Sequence, residues 1–259
     1  MLYFKFLKMH FKKLLQYRLS FFLSLLSQTI VSLVALASMY FLFDRFKVVA
    51  GWSFSQVAIS YAVVYFCFSF TECFGRGFDR FAKLIQSGGL DSFYIRPRSI
   101  FHQTLCSEIE FSKMGRVVVA LAVLIYACAI QPFTWGIDKV AVLIGMLLCG
   151  IVIFFSLFML GASMCIFTIE GLEVVNVFTD GGRELCQYPL NVYPEGLAKI
   201  FTYIIPFASF NYLPMMYLFD MPGATVWGHA LAPLYGMLII IPAYFIFRWS
   251  LTKYKSTGT

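Results

Sequence analysis

Apolar positions along the chain gather into long uncharged runs separated by polar stretches. Leu19–Phe43 runs 25 residues without a charge, Phe54–Phe74 carries only Glu72 near its end, and Val140–Ile169 gives 30 uncharged residues. About 20 apolar residues suffice to cross a bilayer as a helix, so each run predicts a span. Val226–Phe247 predicts another, closed by Arg248, Lys253 and Lys255. Val117–Ile130 has only 14 residues and follows Glu108, Glu110, Lys113 and Arg116. That helix is expected to begin near His102 in the cytoplasm and to enter the bilayer around Lys113, whose stem can snorkel. Ile200–Phe219 is interrupted by Pro206 and Pro214. Prolines in a span need neighbours to satisfy the freed carbonyls, so this helix is expected to be bent and packed inside the bundle. The pattern predicts an all-α integral membrane protein with six transmembrane helices at 19–43, 54–74, 111–130, 140–169, 200–219 and 226–247. The turn after the third falls at Gln131-Pro132, and Gly145, Gly150 and Gly161 would let the fourth approach its neighbours closely.

Residues 1–18 precede the spans with Lys5, Lys8, Lys12, Lys13 and Arg18, while Phe4, Leu7, Phe11, Leu14 and Leu15 gather on the other side of a helical wheel. This predicts an amphipathic helix lying in the interface of an anionic leaflet, followed by the transmembrane domain at 19–259. Ala35-Leu36-Ala37 imitates a signal-peptide cleavage site, but the apolar run exceeds the usual ~7–15 residues, so a retained span is expected. With six spans, 17 Lys and Arg residues fall on one side against Arg45, Lys47 and Lys139 on the other. The positive-inside rule then puts both termini and the loops 75–110 and 170–199 in the cytoplasm of a multi-pass cell-membrane protein.

Composition agrees. Of the 259 residues 60% are apolar and 13% charged, which excludes an ordinary water-soluble domain. The net charge of +7 comes from basic residues between spans, where they set orientation, so no nucleic-acid partner is expected. Seven cysteines without a CxxC pair indicate neither a disulfide framework nor a zinc site.

Between the second and third spans lies a polar island, Phe78 to Ser99. Phe78, Phe81 and Ile85 stand at helical spacing with Asp79, Arg80 and Lys83 between them, Gly88-Gly89 breaks the helix, and a second short element runs from Leu90 to Arg96-Pro97. A structured elbow of this kind suits transmission of force to a soluble partner, with its apolar residues as the docking surface. The chain has no GxxxxGK[ST] loop, so it is not expected to bind a nucleotide in that way, and Gln86-Ser87-Gly88-Gly89-Leu90 only imitates an ATPase signature loop. No HExxH or paired metal-ligand motif occurs, and His10, His102 and His229 are far apart. Glu72 is read as paired with Arg76 one turn on, rather than as part of a cation path. The spans are otherwise free of ionisable residues, which disfavours an ion-coupled pump. A passive channel or scaffold would need a polar pore stripe that no span carries clearly. A lipid-modifying enzyme would need convergent acids and histidines, for which Asp79, Asp91, His102 and Glu108 are the nearest candidates.

Several short motifs in order carry a resemblance: Gly89-Leu90-Asp91 with Arg96-Pro97, Tyr188-Pro189-Leu190, Tyr193-Pro194, Ile205-Pro206-Phe207 with Pro214, and the tail Tyr254-Lys255-Ser256-Thr257-Gly258. In these, and in its six spans and basic amino-terminal helix, the chain resembles the permease subunits of ABC-2 type transporters, specifically a bacterial family that pairs one ATPase with two dissimilar permeases. It departs from that pattern at Phe93-Tyr94-Ile95, where a leucine-rich run is commoner, and at Thr259, where a serine is commoner. The resemblance implies an ABC-2, type V exporter-like fold with a cytoplasmic coupling helix. It implies a non-catalytic subunit that binds no cofactor, ATP being held by partner ATPase subunits, and a second, related permease in a heterodimer. The ATPase-coupling residues would be Phe78, Phe81, Ile85, Gly88, Gly89, Leu90, Asp91, Arg96 and Pro97. Whether Phe78–Gln86 or Leu90–Ile95 makes the contact is open, as is the substrate.

Overall fold

The computed structural model describes residues 2–131, 135–168 and 171–256. Pro132 of the expected turn, Ile169, Glu170 and the tail residues Thr257, Gly258 and Thr259 lie outside the described residues, as do the side chains of Phe4 and Glu173. The chain begins with α1 (Leu2–Gln16) and α2 (Arg18–Phe46). A two-stranded pair follows, Val48–Val49 with Trp52–Ser53, turned at Gly51 with φ of +87°. Then come α3 (Phe54–Phe74), four short helices α4 (Arg76–Asp79), α5 (Phe81–Gln86), α6 (Gly89–Ile95) and α7 (Ile100–Ser107), and α8 (Met114–Ile130) with a tight turn at Phe111–Lys113 before it. α9 (Ile137–Cys165) and α10 (Gly171–Cys186) lead to α11 (Glu195–Lys199), α12 (Phe207–Phe210), α13 (Tyr212–Leu218), α14 (Ala232–Gly236) and α15 (Ile240–Leu251). Among the described residues, five helical stretches are long and apolar enough to cross a membrane: Arg18–Phe46, Phe54–Phe74, Phe111–Ile130, Ile137–Cys165 and Val226–Leu251.

α3 is the shaft of the bundle. Ser53 starts it with a capping box, its N–H donating to Gln56 Oε1 at 2.9 Å. From Val57 to Cys73 nearly every side chain is buried, against α8, α9, α10 and α2. α9 comes so close that a Cβ added to Gly150 would stand 2.5 Å from Cys67 Sγ, as the small-residue positions of the sequence suggest. α2, equally apolar, fully buries only Ser32, Met39 and Phe43; Ala35, Leu36 and Leu42 are partly covered, and most of the rest is exposed. The end of the bundle that carries Glu72 and α4–α7 is called the island end here, and the end with Trp52 the far end. Both described ends of the chain sit at the island end: Phe11 of α1 packs edge-on against Phe111 at 5.8 Å, and Tyr254 stacks on Tyr94 at 5.7 Å.

Three expectations need correction. The third span does not start near His102: α7 ends at Ser107, and the chain turns through Glu108–Glu110, where the Glu110 N–H donates to the Cys73 carbonyl at 3.0 Å, before α8 begins. The stretch 170–199 is not a polar loop at the island end. Within it α10 runs along α9 and α3, with Val175 against Gly161, Arg183 over the Phe68 ring at 4.7 Å, and the Cys186 carbonyl accepting from Ser60 Oγ at 3.2 Å. The chain then reaches the far end, where Asn191 Nδ2 donates to the Ala50 carbonyl at 3.1 Å. The stretch 200–219 is not one spanning helix. It breaks at Pro206 and Asn211, dips inward so that Phe207 and Phe210 pack on Phe154, and returns to the far end. There Phe219 meets Trp52 at 6.0 Å, and Asp220 pairs with Lys139 at 2.6 Å. Proline at 206 forbids a continuous hydrogen-bond ladder, and the surrounding bundle covers the freed backbone.

Candidate functional site

The polar island is built by punctuation. Gly88 holds φ at +67°, a left-handed conformation that suits glycine, and separates α5 from α6. Pro97 ends α6, and the Ser99 hydroxyl caps α7 by accepting from the His102 N–H at 3.4 Å. α4 lies so close to α7 that a side chain at Gly77 would collide with the Thr104 carbonyl. These breaks fold 30-odd residues into a cap over the ends of the long helices.

The cap's apolar face points inward. Phe78, Phe81 and Leu90 are fully buried and Ile85 is 5% exposed. Phe78 sits among Phe101, Phe155 and Phe247 at 5.2–5.3 Å between ring centres, and Phe81 meets Phe247 at 5.7 Å. The expectation that these residues form an outward docking surface is therefore corrected: they are core, joining the island to α9 and α15. Helical spacing shows that a helix has an apolar face without showing what covers it. Of the other expected coupling residues, Gly88, Gly89 and Asp91 are half-buried, and Arg96 and Pro97 are exposed. Lys83, Gln86, Ser87, Tyr94 and Ile95 join them on the outer rim, Ile95 with 85% of its surface open.

The opposite flank of the island is ionic. Glu72, at the end of α3, is buried and takes three cations: Arg76 at 3.0 Å, Lys113 at 2.7 Å and Arg116 at 2.5 Å. The expected Arg76 pairing is present, and two further partners join it. Arg76 also holds Asp79 and reaches Glu110 at 2.9 Å, while Arg80 bridges Glu108 at 3.1 Å and Glu110 at 3.3 Å. Four acids and four bases thus close into one neutral network linking α3, α4, the turn after α7 and the start of α8. A buried ion is tolerated when paired, and the three buried members, Glu72, Lys113 and Arg116, are each paired, although Arg116 Nε meets no acceptor among the described residues. Burial pushes the Asp79 carboxyl above its ordinary range while Arg76 pulls it back, and the acids around Arg76 keep that guanidinium firmly charged against its own burial. The Lys113 and Arg116 contacts escape a sequence reading because they join residues more than 40 positions apart. The available signal was that one lone acid closes a span at the end where two cations open another.

A third fastening lies at the carboxyl-terminal tail. Tyr94 Oη donates to the Leu251 carbonyl at 2.8 Å, and Ser256 Oγ donates to Asp91 at 2.7 Å. The side chains considered for a lipid-modifying enzyme do not converge: Asp79 is held by Arg76, Glu108 by Arg80, Asp91 by Ser256, and His102 Nδ1 by Ser99 Oγ at 2.6 Å. Among the described residues no group of three His, Cys, Asp or Glu is placed to hold a metal ion. The arrangement is mechanical: a stiff cap bonded to α3 and α8 by charge and to α9 and α15 by packed rings. Sequence reading also missed Arg183, which lies over Phe68 and Tyr65 beside Glu184 at 2.6 Å and Asp180 at 3.5 Å.

Comparison with known proteins bears on what such a bundle does. No curated protein and no solved structure matches the chain. A family model described as ABC-2 family transporter protein matches residues 26–258, which is nearly the whole chain. The chain therefore belongs to the ABC-2 family of transporter proteins, as a multi-pass membrane permease.

Proposed function

We propose that this chain is the permease subunit of an ATP-driven exporter, with ATP bound and hydrolysed on separate ATPase subunits that dock on the polar island. The observation that carries the reading is the island's double fastening, ionic to α3 and α8 and aromatic to α9 and α15. A push on such a cap moves four long helices together, as reorientation driven by ATPase closure requires. Phe78, Phe81, Ile85 and Leu90 stiffen the cap from beneath. Contact with the ATPase falls to the rim, where Ile95 is an exposed apolar anchor beside Arg96 and Pro97, with Lys83, Gln86 and Ser87 alongside.

The island end is the cytoplasmic one in this reading, with α1 lying on the inner leaflet and α10 making the fifth crossing. Fifteen basic residues then lie on the cytoplasmic side, against Arg45, Lys47, Lys139 and Lys199 on the other. Asn176, Asp180 and Glu184 stand one turn apart on the outward face of α10, alongside the buried length of α3. A polar stripe at membrane depth is costly against lipid, which supports a second, related permease covering it.

The test is co-isolation. Full-length chain purified from its native membranes is expected to carry an ABC ATPase with it. Ile95→Asp is expected to leave the chain's abundance unchanged and to weaken the association by about 2 kcal/mol or more, whereas Phe81→Asp removes folded chain altogether. Absence of any ATPase with the native chain, or full association in both Ile95→Asp and Arg96→Glu, would overturn the docking reading.

A further inference from the structure

A cavity of about 400 Å³ lies between the first two helices and the ionic flank of the island. One wall comes from the α1–α2 junction and presents Lys13, Tyr17, Ser20 and Ser24; the other presents Arg80 and Glu108. Nothing in the permease reading uses this space. We propose that it binds the headgroup of an aminophospholipid, a phosphate carrying a short-armed primary ammonium.

Its position is that of a lipid headgroup. Lys8, Lys12, Lys13 and Arg18 mark the charged rim of the first two helices, and the apolar surface of α2 begins immediately beyond. Leu19, Phe22, Leu23 and Leu26 are all more than half exposed, so acyl chains descending from the cavity would lie on a ready apolar surface.

The polarity of the two walls selects the headgroup. Among the described residues Lys13 has no carboxylate partner, and the Ser20 and Ser24 hydroxyls donate to no protein group. With the Tyr17 phenol they form a set that suits phosphate oxygens. Across the cavity Glu108 takes Arg80 on Oε2, while its other oxygen accepts no hydrogen bond among the described residues. That free oxygen suits a primary ammonium, which donates hydrogen bonds. A quaternary ammonium cannot donate and prefers an aromatic face, and the Glu108 wall has none. An anionic glycerol headgroup would bring a phosphate without a cation toward Glu108 and Glu110.

The experiment uses the full chain in mild detergent. Equimolar phosphatidylethanolamine, phosphatidylcholine and phosphatidylglycerol are offered together, and retained lipid is read by native mass spectrometry. Retention of phosphatidylethanolamine is expected to exceed the other two by about tenfold, the scale of one charge-assisted hydrogen bond. Lys13→Ala and the cavity-filling Ser24→Trp are each expected to abolish that preference. Lys12→Ala removes the same charge from the neighbouring position off the cavity, and is expected to keep it. Equal loss in Lys12→Ala and Lys13→Ala would mean general interfacial attraction and would overturn the site, as would equal retention of all three lipids. Soluble glycerophosphoethanolamine is expected to compete, and displacement by inorganic phosphate at the same concentration would reduce the cavity to a simple anion site and overturn the assignment.

Discussion

The two polar interruptions of this chain look alike as sequence and behave differently as structure. Both mix acids with bases and both contain a Gly-Gly pair. The first folds into a cap whose eight charges are matched four to four within the chain, with Glu72, Lys113 and Arg116 buried and Arg80 and Glu108 on the solvent side. The second becomes α10, which lies along the shaft with Arg183 turned inward over aromatic rings while Asp180 and Glu184 stay more than half exposed. A network that closes on itself fixes one arrangement of its own chain. A network left half open leaves charge for something else to meet, and the proposed second permease would meet it.

The sharpest way to break this comparison is at Glu72. Glu72→Gln leaves Arg76, Lys113 and Arg116 buried around a neutral side chain, and breaking a buried ion network by removing one partner costs about 3–5 kcal/mol. The expected outcome is near loss of folded chain from the membrane, read as abundance and as thermal stability after extraction. A second change will not restore it. In Glu72→Met with Arg116→Met, Arg76 keeps Asp79 and Glu110 but Lys113 is left with Glu110 alone, at 3.9 Å, so recovery stays partial. Wild-type stability in Glu72→Gln would show that the four-to-four balance does not hold the cap.

The α10 cluster should respond the other way. Arg183→Met leaves Glu184 and Asp180 without their cation, but both acids are partly open, so about 1–2 kcal/mol is expected, less than a fully buried pair would cost. Here Arg183→Met with Glu184→Met should recover most of the loss, because the pair is nearly self-contained and the replacements suit an apolar setting. Thermal unfolding of the single and double variants checks this. A double variant as damaged as the single one would place Arg183 in a network as closed as the first, and the contrast between the two regions would disappear.

The same contrast explains what could be read from residues alone. Length and absence of charge located the helices beginning near residues 19, 54, 111, 140 and 226, since a charge-free run of that size has few other uses. The crossing that the proposed reading gives to α10 was expected at Ile200–Phe219 because that stretch is more apolar than Gly171–Cys186, and an apolar average does not register that Arg183 is paired with its neighbours and stacked on Phe68. Pro206 and Pro214 were visible warnings, and they predicted bending rather than return to the same end. In the island, Glu72–Arg76 was legible because it is one helical turn long, while Glu72–Arg116 depends on how α3 meets α8. The burial of Phe78 and Phe81 depends on Phe247, which stands some 170 positions away in the sequence. Local periodicity gives no means of seeing either contact.

The smallest expected effect lies where the island meets the tail. Tyr94 joins α6 to the end of α15 twice, through its hydroxyl on the Leu251 carbonyl and through its ring, stacked 7° from parallel on Tyr254. Tyr94→Phe keeps the ring and loses the hydroxyl. Because the residue is exposed, water can satisfy the Leu251 carbonyl, so the loss should sit at the low end for a hydrogen bond, about 0.5 kcal/mol. Tyr94→Ala removes the stack as well, adding the roughly 0.5–1.5 kcal/mol of an aromatic pair. Graded loss, Ala beyond Phe, in thermal unfolding of the full chain would show that the tail is a fastening in its own right. If neither variant moves the transition, the island's hold on α15 rests on the rings around Phe247 and Tyr244. A push at the rim would then reach that helix through Phe78 and Phe81 on Phe247 and through Phe101 on Tyr244, which would make those buried and half-buried rings more important to coupling than any exposed position.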